Sequence, residues 1–253
     1  MRDLAGAWVF YSVLPGWPWP QPSFERIARF APWIGVVIGG LMASLWWVLS
    51  QLGWQPAAMA PVVLALGLWL TGGLHLDGLM DTSDGLAAGQ ARCLEAMDDS
   101  RVGASGVQAV VIVLLLQLAA LIQLGDGAPG ALMLASVAGR VAPLWAMGRF
   151  RYLRDGGTAA FHRRHGRGLR EAVPTLVLVI ISILLTGLLR PDALTIVLVE
   201  MLFALCMGLV AAEGLGRRLG GHTGDSYGAS VMVCETLTLL GSVLLIPILS
   251  VGP

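Results

Sequence analysis

Three aspartates follow one another at helical spacing in the segment GGLHLDGLMDTSDG, and their carboxylates are well suited to hold a metal ion. Asp77, Asp81 and Asp84 occupy positions i, i+4 and i+7, so a helix through them carries all three on one face. Carboxylates this close raise each other's pKa unless a cation lies between them. Mg²⁺ prefers oxygen ligands together with substrate phosphates, so the spacing predicts a Mg²⁺ site. The alternative is a solvated acidic loop.

A second acidic pair precedes an arginine in the segment MDDSRVGASG. Asp98 and Asp99 are followed by Arg101 just before an apolar stretch. We expect Asp99 to assist both the metal site and catalysis. Arg101 is expected to contact the substrate, because the guanidinium fork suits phosphate. The alternative is that one of the two aspartates caps the first turn of the following helix.

A third motif, GGHTGDSYGAS, opens the last apolar stretch. Its small residues leave backbone N–H groups open to an anion, so we expect Thr223 and Gly224 to contact the substrate. Asp225 is expected to be a further metal ligand or the general base, and the sequence leaves both roles open. Either role requires the last span to pack beside the span that leads to the aspartates. The alternative is a flexible glycine loop.

Two charged residues fall inside apolar stretches, where an unpaired charge is costly. Arg140 and Glu235 should therefore pair or border a polar cavity, and we expect Arg140 to contact the substrate. A purely structural ion pair is the alternative. His75 and His222 each adjoin an acidic motif without paired ligand spacing, so hydrogen bonding is favoured over metal binding. His75 is also expected near the substrate.

The segment from 149 to 170 is rich in arginine. Such loops more often anchor the topology of a membrane protein than bind a ligand. Three arginines of this loop lie closest to the membrane and are candidates for phosphate contacts: Arg149, Arg151 and Arg154. Of these, Arg149 is expected to bind the substrate.

The composition indicates the elements that must position these residues. Of 253 residues, 56% are hydrophobic and only 13% are charged, too few to coat a soluble fold of this size. The continuous apolar runs predict an all-α, polytopic membrane helix bundle that forms a single domain over 1–253, with lipid as its surroundings. Zero net charge argues against nucleic-acid binding. Cys93, Cys206 and Cys234 show no spacing typical of a disulfide framework or a zinc site.

About seven stretches approach the ~20 apolar residues that a crossing needs. They are 31–52, 57–76, 105–124, 128–148, 172–189, 193–212 and 229–252. Because positive residues collect on cytoplasmic loops, the arginines then fix the orientation. Arg190 lies on one side, Arg140 lies within the membrane, and the others share the opposite, cytoplasmic side: Arg2, Arg26, Arg29, Arg92, Arg101, Arg149, Arg151, Arg154, Arg163, Arg164, Arg167, Arg170, Arg217 and Arg218.

The chain resembles the adenosylcobinamide-GDP ribazoletransferase (cobalamin synthase) family along most of its length. The matching segments, in order, are YSVLPGWPWP, FAPWIGVVIGG, GGLHLDGLMDTSDGL, MDDSRVGASG, GRVAPLWAMGRFRY and GGHTGDSYGAS followed by Glu235. The resemblance implies an enzyme that joins adenosylcobinamide-GDP to α-ribazole or its 5′-phosphate, releases GMP and uses Mg²⁺. It also implies a multi-pass protein of the bacterial inner membrane with its active site facing the cytoplasm. A homo-oligomer is compatible with this expectation.

Two functions are alternatives to a ribazoletransferase. A CDP-alcohol phosphotransferase also binds metal through aspartates at a membrane helix end, but this chain reads DTSDGLAAGQ and lacks the later DxxxD of that family. A transporter would use the intramembrane Arg140 and Glu235 to line a path for solute or protons. The concentration of acidic residues at one face argues against a transporter.

Overall fold

The computed structural model describes residues 1–16, 20–154, 156, 165–166 and 168–250, and these confirm the all-α fold. The described residues form no strand, only one isolated bridge between Tyr152 and His222. Short 3₁₀ turns occur at Ile27–Phe30, Gly125–Gly127, Gly168–Ala172 and Pro191–Ala193. The helices are α1 (Arg2–Tyr11), α2 (Ala31–Gln51), α3 (Pro56–Leu70), α4 (Leu74–Ala87), α5 (Cys93–Asp98), α6 (Ala104–Leu124), α7 (Ala128–Arg149), α8 (Val173–Leu189), α9 (Leu194–Leu219) and α10 (Gly224–Ser250).

Within the described residues, five helical stretches are long and apolar enough to cross a membrane, or six if the bent pair α3–α4 counts as one crossing. One stretch, 104–149, has 46 residues, which is about 69 Å of helix and more than twice the ~30 Å bilayer core. It contains α6 and α7, separated by a break at Gly125. We therefore count α6 and α7 as two crossings, and with the bent pair α3–α4 counted as one crossing the total reaches the predicted number of about seven.

Contacts with α10 show that α6 and α7 run in opposite directions. The start of α6 lies beside α4, which packs on the start of α10. The middle of α6 meets the middle of α10 through a 3.0 Å hydrogen bond from Gln117 to Thr236. Gly127 lies beside Ile246 near the end of α10, and α7 then returns past Glu235 to end at Arg149. The chain is thus a multi-pass membrane protein.

The prediction of one continuous span over 57–76 is wrong. Helix α3 ends at Leu70, Gly72 and Gly73 adopt left-handed φ angles of +60° and +74°, and α4 leaves at 89° to α3. Only glycine takes up two successive left-handed positions at little cost, so this pair turns the chain. The aspartates therefore lie on a separate helix across the end of the bundle.

The centre of the bundle is formed by α2, α7 and α10. Gly35 and Gly39 of α2 face the backbone of α7 near Ser136 and Met133, and the missing side chains let the two helices pack closely. Helix α8 lies outside this centre and keeps large apolar side chains exposed, as expected of a lipid-facing helix. The rigid centre fixes the helix ends on which the candidate site is built.

The described arginines agree with the predicted one-sided distribution. Arg26 pairs with Glu171, Arg149 with Glu213 and Arg154 with Asp225, all at the end of the bundle that carries α4. Arg190 pairs with Asp192 in the turn between α8 and α9 at the other end. Arg163, Arg164 and Arg167 lie outside the described residues.

Candidate functional site

The aspartate helix predicted from the sequence is confirmed as α4, but its carboxylates have different surroundings. Asp84 turns toward the start of α6, where its Oδ2 accepts the N–H of Gly103 at 2.7 Å and its Oδ1 accepts the N–H of Gly106 at 2.8 Å. The first N–H groups of a helix lack partners within the helix, and a negative charge there is favourable. Asp84 therefore joins α4 to α6, the capping role that the sequence suggested for Asp98 or Asp99.

Asp81 is half-buried and faces other negative charges. Burial first, and then the carboxylates of Asp77 and Asp225, raise the pKa of Asp81 to about 6. Helices α4 and α10 touch at Gly78, where a Cβ atom would lie 2.5 Å from the carbonyl oxygen of Asp225. The absence of a side chain at Gly78 permits this contact. The predicted packing of the last span beside the aspartate helix is thus confirmed, and it brings Asp225 into the site.

The first turn of α10 holds Asp225 in place. The N–H of Thr223 donates to Ser226 Oγ at 2.8 Å, and the N–H of Ser226 donates to Thr223 Oγ1 at 3.2 Å, a reciprocal cap. Thr223 Oγ1 also donates to Asp225 Oδ2 at 3.3 Å. Because Thr223 is fully buried, its hydroxyl orients Asp225 instead of facing a ligand. Gly224, in contrast, borders a cavity.

Among the described arginines of the loop after α7, Arg154 reaches the site. Its Nη2 atom lies 2.9 Å from Asp98 Oδ1 and 3.1 Å from Asp225 Oδ2. Two backbone hydrogen bonds place it there, from Leu153 N to His222 O at 2.8 Å and from His222 N to Arg151 O at 2.9 Å. The sequence named Arg154 among three loop candidates, and only its pairing with the α10 turn distinguishes it from the other two.

The predicted pair of Asp99 and Arg101 lies at the rim, and the two side chains bind each other. Asp99 Oδ2 accepts from Arg101 Nη2 at 2.7 Å, and Asp99 Oδ1 accepts the Arg101 N–H at 3.0 Å. These hydrogen bonds from Arg101 lower the pKa of Asp99 to about 2. The Arg101 side chain is 88% exposed. The structure thus does not turn Asp99 toward the aspartates of α4.

Deeper in the bundle, the predicted pairing of Arg140 with Glu235 is confirmed. Arg140 Nη1 donates to Glu235 Oε1 at 2.8 Å and to Ser136 O at 2.6 Å, and the Arg140 side chain is 2% exposed. His75 is buried in the first turn of α4, and both His75 and Arg140 line the same cavity. Arg140 thus both pairs with Glu235 and borders a cavity, whose lining combines these polar side chains with apolar ones.

Two other predicted residues have partners away from the aspartates. Arg149 Nε lies 3.5 Å from Glu213 Oε1 on α9, and Arg149 does not line the cavity near the aspartates. His222 is fully buried, with Nδ1 2.9 Å from Ser226 Oγ and Nε2 3.0 Å from Ala212 O. Its hydrogen-bonding role is as predicted, and it fixes the turn that leads into α10.

The cavity has a volume of about 280 Å³ and lies between α1, the start of α2, α4, α7 and α10. Asp77 and Asp225 belong to its lining together with the buried Arg140. Tyr11 and Tyr227 also line the cavity, and neither was predicted from the sequence. Tyr227 follows Asp225 by two residues in the same motif, and this proximity marks it as a candidate. No local pattern marks Tyr11.

The carboxylates that remain available fit a cation shared with a substrate. Among the described residues, no three or more His, Cys, Asp or Glu side chains are grouped so that they alone would hold a metal ion. Asp77, Asp81 and Asp225 nevertheless lie close enough for their charges to interact, with Arg154 as a positive neighbour. Mg²⁺ is usually bound through one or two carboxylates plus substrate phosphates, which suits this donor set.

Comparison with known proteins shows to which family the chain belongs. Residues 3–243 match the family model described as cobalamin-5-phosphate synthase. The chain is 57% identical over 246 residues to the adenosylcobinamide-GDP ribazoletransferase of Prochlorococcus marinus strain MIT 9303, covering 95% of this chain and 94% of the relative. It is 56% identical over 253 residues to that of strain MIT 9313, with 98% and 97% covered. The Thermosynechococcus vestitus enzyme of the same name is 42% identical over 241 residues, with 94% and 95% covered.

No solved structure matches the chain. The family model spans nearly the whole sequence, and the relatives match over nearly their full lengths. The chain therefore belongs to the cobalamin-5-phosphate synthase family.

Proposed function

We propose that this chain joins adenosylcobinamide-GDP to α-ribazole, or to its 5′-phosphate, and releases GMP. Relatives that are 56% and 57% identical carry the name of this activity. The observation that carries the proposal is the packing of α4 on α10, which brings acidic motifs from distant parts of the chain to one place beside Arg154. That concentration of charge suits the transfer of a phosphoryl group.

In the proposed reaction, a ribose hydroxyl oxygen of α-ribazole attacks the phosphorus atom next to cobinamide. A new P–O bond forms, the P–O bond to the GMP portion breaks, and GMP leaves with the bonding electron pair. The hydroxyl proton passes to a base. Asp225 is the proposed base, because Thr223 and Arg154 hold its carboxylate in a fixed orientation at the cavity.

Asp77 and Asp81 are the proposed Mg²⁺ ligands, and Asp225 is the third carboxylate within their reach. A bound Mg²⁺ would neutralise the diphosphate and stabilise the departing phosphate. Asp84 and Asp99 are left out of this set because α6 and Arg101 already engage them. The exposed Arg101 remains a proposed phosphate contact at the rim.

The site is proposed to face the cytoplasm from the bacterial inner membrane. The described arginines collect at the end of the bundle that carries α4, in keeping with the preference of positive residues for cytoplasmic loops. Nucleotide substrates would then reach the site directly from the cytoplasm.

A direct test measures GMP release by purified protein in liposomes supplied with adenosylcobinamide-GDP, α-ribazole and Mg²⁺. The Asp81→Asn variant removes one negative ligand while nearly preserving shape, so it should lose about 10²-fold or more in kcat/KM. Asp225→Asn should lower kcat by about 10²- to 10⁴-fold with little change in Mg²⁺ requirement if Asp225 is the base. A higher Mg²⁺ requirement would instead identify it as a ligand.

Asp126→Asn is the matched control, because Asp126 is an exposed aspartate in the turn between α6 and α7 at the opposite end of the bundle. It should keep normal turnover. The absence of GMP release by the unmodified chain would disprove the proposed activity, and normal turnover of Asp81→Asn at ordinary Mg²⁺ would disprove the metal assignment.

A further inference from the structure

The lining of the 280 Å³ cavity is mostly apolar. Its open end is polar, because Asp77 is exposed and Asp225 is partly exposed, whereas Arg140 in the same lining is buried. Asp77 and Asp225 lie where the cavity meets the proposed reaction site. Its walls are mostly apolar side chains of α1, α7 and α10, among them Phe10, Pro143 and Val231. The cavity thus offers a pocket for a flat apolar group directly beside the carboxylates.

The size of this cavity decides which of the two substrates it can hold. Pockets for drug-sized ligands span about 300–1,000 Å³. A cavity of about 280 Å³ lies at the lower end of this range, so it accommodates a nucleoside but not a corrin macrocycle. A second cavity of about 510 Å³ lies next to it, and the two linings share Ala28, Leu144, Met147 and Tyr227. The second cavity also has charged side chains in its lining, including Arg26 and Arg151, and therefore suits a larger polar molecule.

The 280 Å³ cavity is called the inner cavity. Its chemistry distinguishes guanine from the base of ribazole. Guanine carries donors and acceptors along most of its edge, and the apolar walls would leave many of them unpaired. The dimethylbenzimidazole base of ribazole is apolar except for one ring nitrogen, which is an acceptor. Arg140 borders the cavity, is 2% exposed, and its Nε donor has no hydrogen-bond partner among the described residues.

From these observations we infer that the inner cavity binds the ribazole nucleoside. Its base lies between α1, α7 and α10, with the ring nitrogen available to the guanidinium of Arg140. Its ribose hydroxyls lie at the entrance beside Asp77 and Asp225, and the corrinoid-linked diphosphate approaches from outside. This assignment rests on the proposed function and adds to it which substrate enters which cavity.

The test compares bases of different size in variants of the cavity wall. Ala31 lines the inner cavity but not the larger one, so Ala31→Val narrows only the inner one. The ratio of kcat/KM for the dimethylbenzimidazole riboside to that for the unsubstituted benzimidazole riboside should fall by about tenfold or more. This ratio does not depend on the fraction of protein that folds.

Val231→Ala is the complementary change, because it widens the same cavity. It should raise the relative use of a tricyclic naphthimidazole riboside by about tenfold. The matched controls are Ala119→Val and Val111→Ala on α6, two exposed positions that line neither cavity. Both controls should keep the base ratios of the unmodified protein.

A ligand analogue tests the role assigned to Arg140 without changing the protein. An indole riboside replaces the ring nitrogen by carbon, and its KM should rise by about tenfold or more, since the donor then stays unpaired.

Two results would overturn the assignment while leaving the transferase activity in place. One is an unchanged base ratio in both wall variants. The other is a shift in selectivity between guanosine- and inosine-containing corrinoid substrates in Ala31→Val, which would place the guanine in the cavity. Failure of the unmodified chain to release GMP would instead disprove the proposed function.

Discussion

At the residue scale, the three aspartates on one face of α4 have different surroundings. The sequence predicted their helix and their common face, because that periodicity is a local property. It could not predict that both oxygens of Asp84 bind the start of α6, since that partner is set by how α4 packs. The same limit applies to Asp99, which binds a neighbouring arginine instead of joining the other carboxylates.

The change Asp84→Asn tests this division at the residue scale. An amide can accept only one of the two N–H groups and carries no charge to stabilise the helix start, so α6 should lose about 1 kcal/mol of local stability. Hydrogen exchange of the amides of Gly103 and Gly106 should accelerate about fivefold. The Mg²⁺ concentration for half-maximal turnover should stay close to normal in this variant, and a large increase would return Asp84 to the metal site.

Arg154 provides a second prediction at this scale. It contacts Asp225 and Asp98, so Arg154→Ala leaves Asp225 without its cation and should lower kcat by about tenfold or more. Asp98→Asn removes only the more exposed partner and should change kcat by less than about threefold. Equal losses in the two variants would mean that the whole ion-pair network matters, and not the contact with Asp225 in particular.

At the scale of elements, the main difference between expectation and structure is the separation of α3 from α4. The apolar run over 57–76 predicted one helix, because hydropathy records the length of a run and not its direction. The two left-handed glycines turn the chain by 89° and place α4 across the helix ends. The other spans were predicted to within a few residues, apart from the C-terminal end of α9 and the start of α10.

Gly73→Ala tests the importance of this turn. An alanine at φ +74° is strained by about 1–2 kcal/mol, and relief of that strain would move α4 away from α10. We expect kcat to fall by about tenfold or more. Gly53→Ala is the matched control, because Gly53 has φ +79° in the turn between α2 and α3 and is equally free of neighbours. It should lower thermal stability to a similar degree while kcat stays normal.

At the scale of the whole molecule, composition was sufficient to predict the bundle. So few charged residues in a chain of this length leave lipid as the surroundings, and the arginine pattern indicates the orientation. Composition could not predict the cavity, because its walls come from five helices whose contacts depend on packing. Tyr11 belongs to a helix far from every acidic motif in the sequence, and only the fold brings it to the site.

The proposed orientation predicts the accessibility of single cysteines. After replacement of Cys93, Cys206 and Cys234, Ser100→Cys should react with a membrane-impermeant thiol reagent only in permeabilised cells. Asp126→Cys, at the other end of the bundle, should react in intact cells whose outer membrane alone is permeable. The reverse pattern would place the aspartates in the periplasm.

The position of Asp77 and Asp225 beside the inner cavity has a kinetic consequence. If the ribazole nucleoside occupies that cavity, a corrinoid diphosphate already seated on the carboxylates would close the way in. The two substrates should then bind in a fixed order, with the nucleoside first. A high concentration of adenosylcobinamide-GDP should inhibit the initial rate, and added ribazole should relieve that inhibition. Rates that rise steadily to saturation with either substrate, whatever the concentration of the other, would show that the cavity has another entrance.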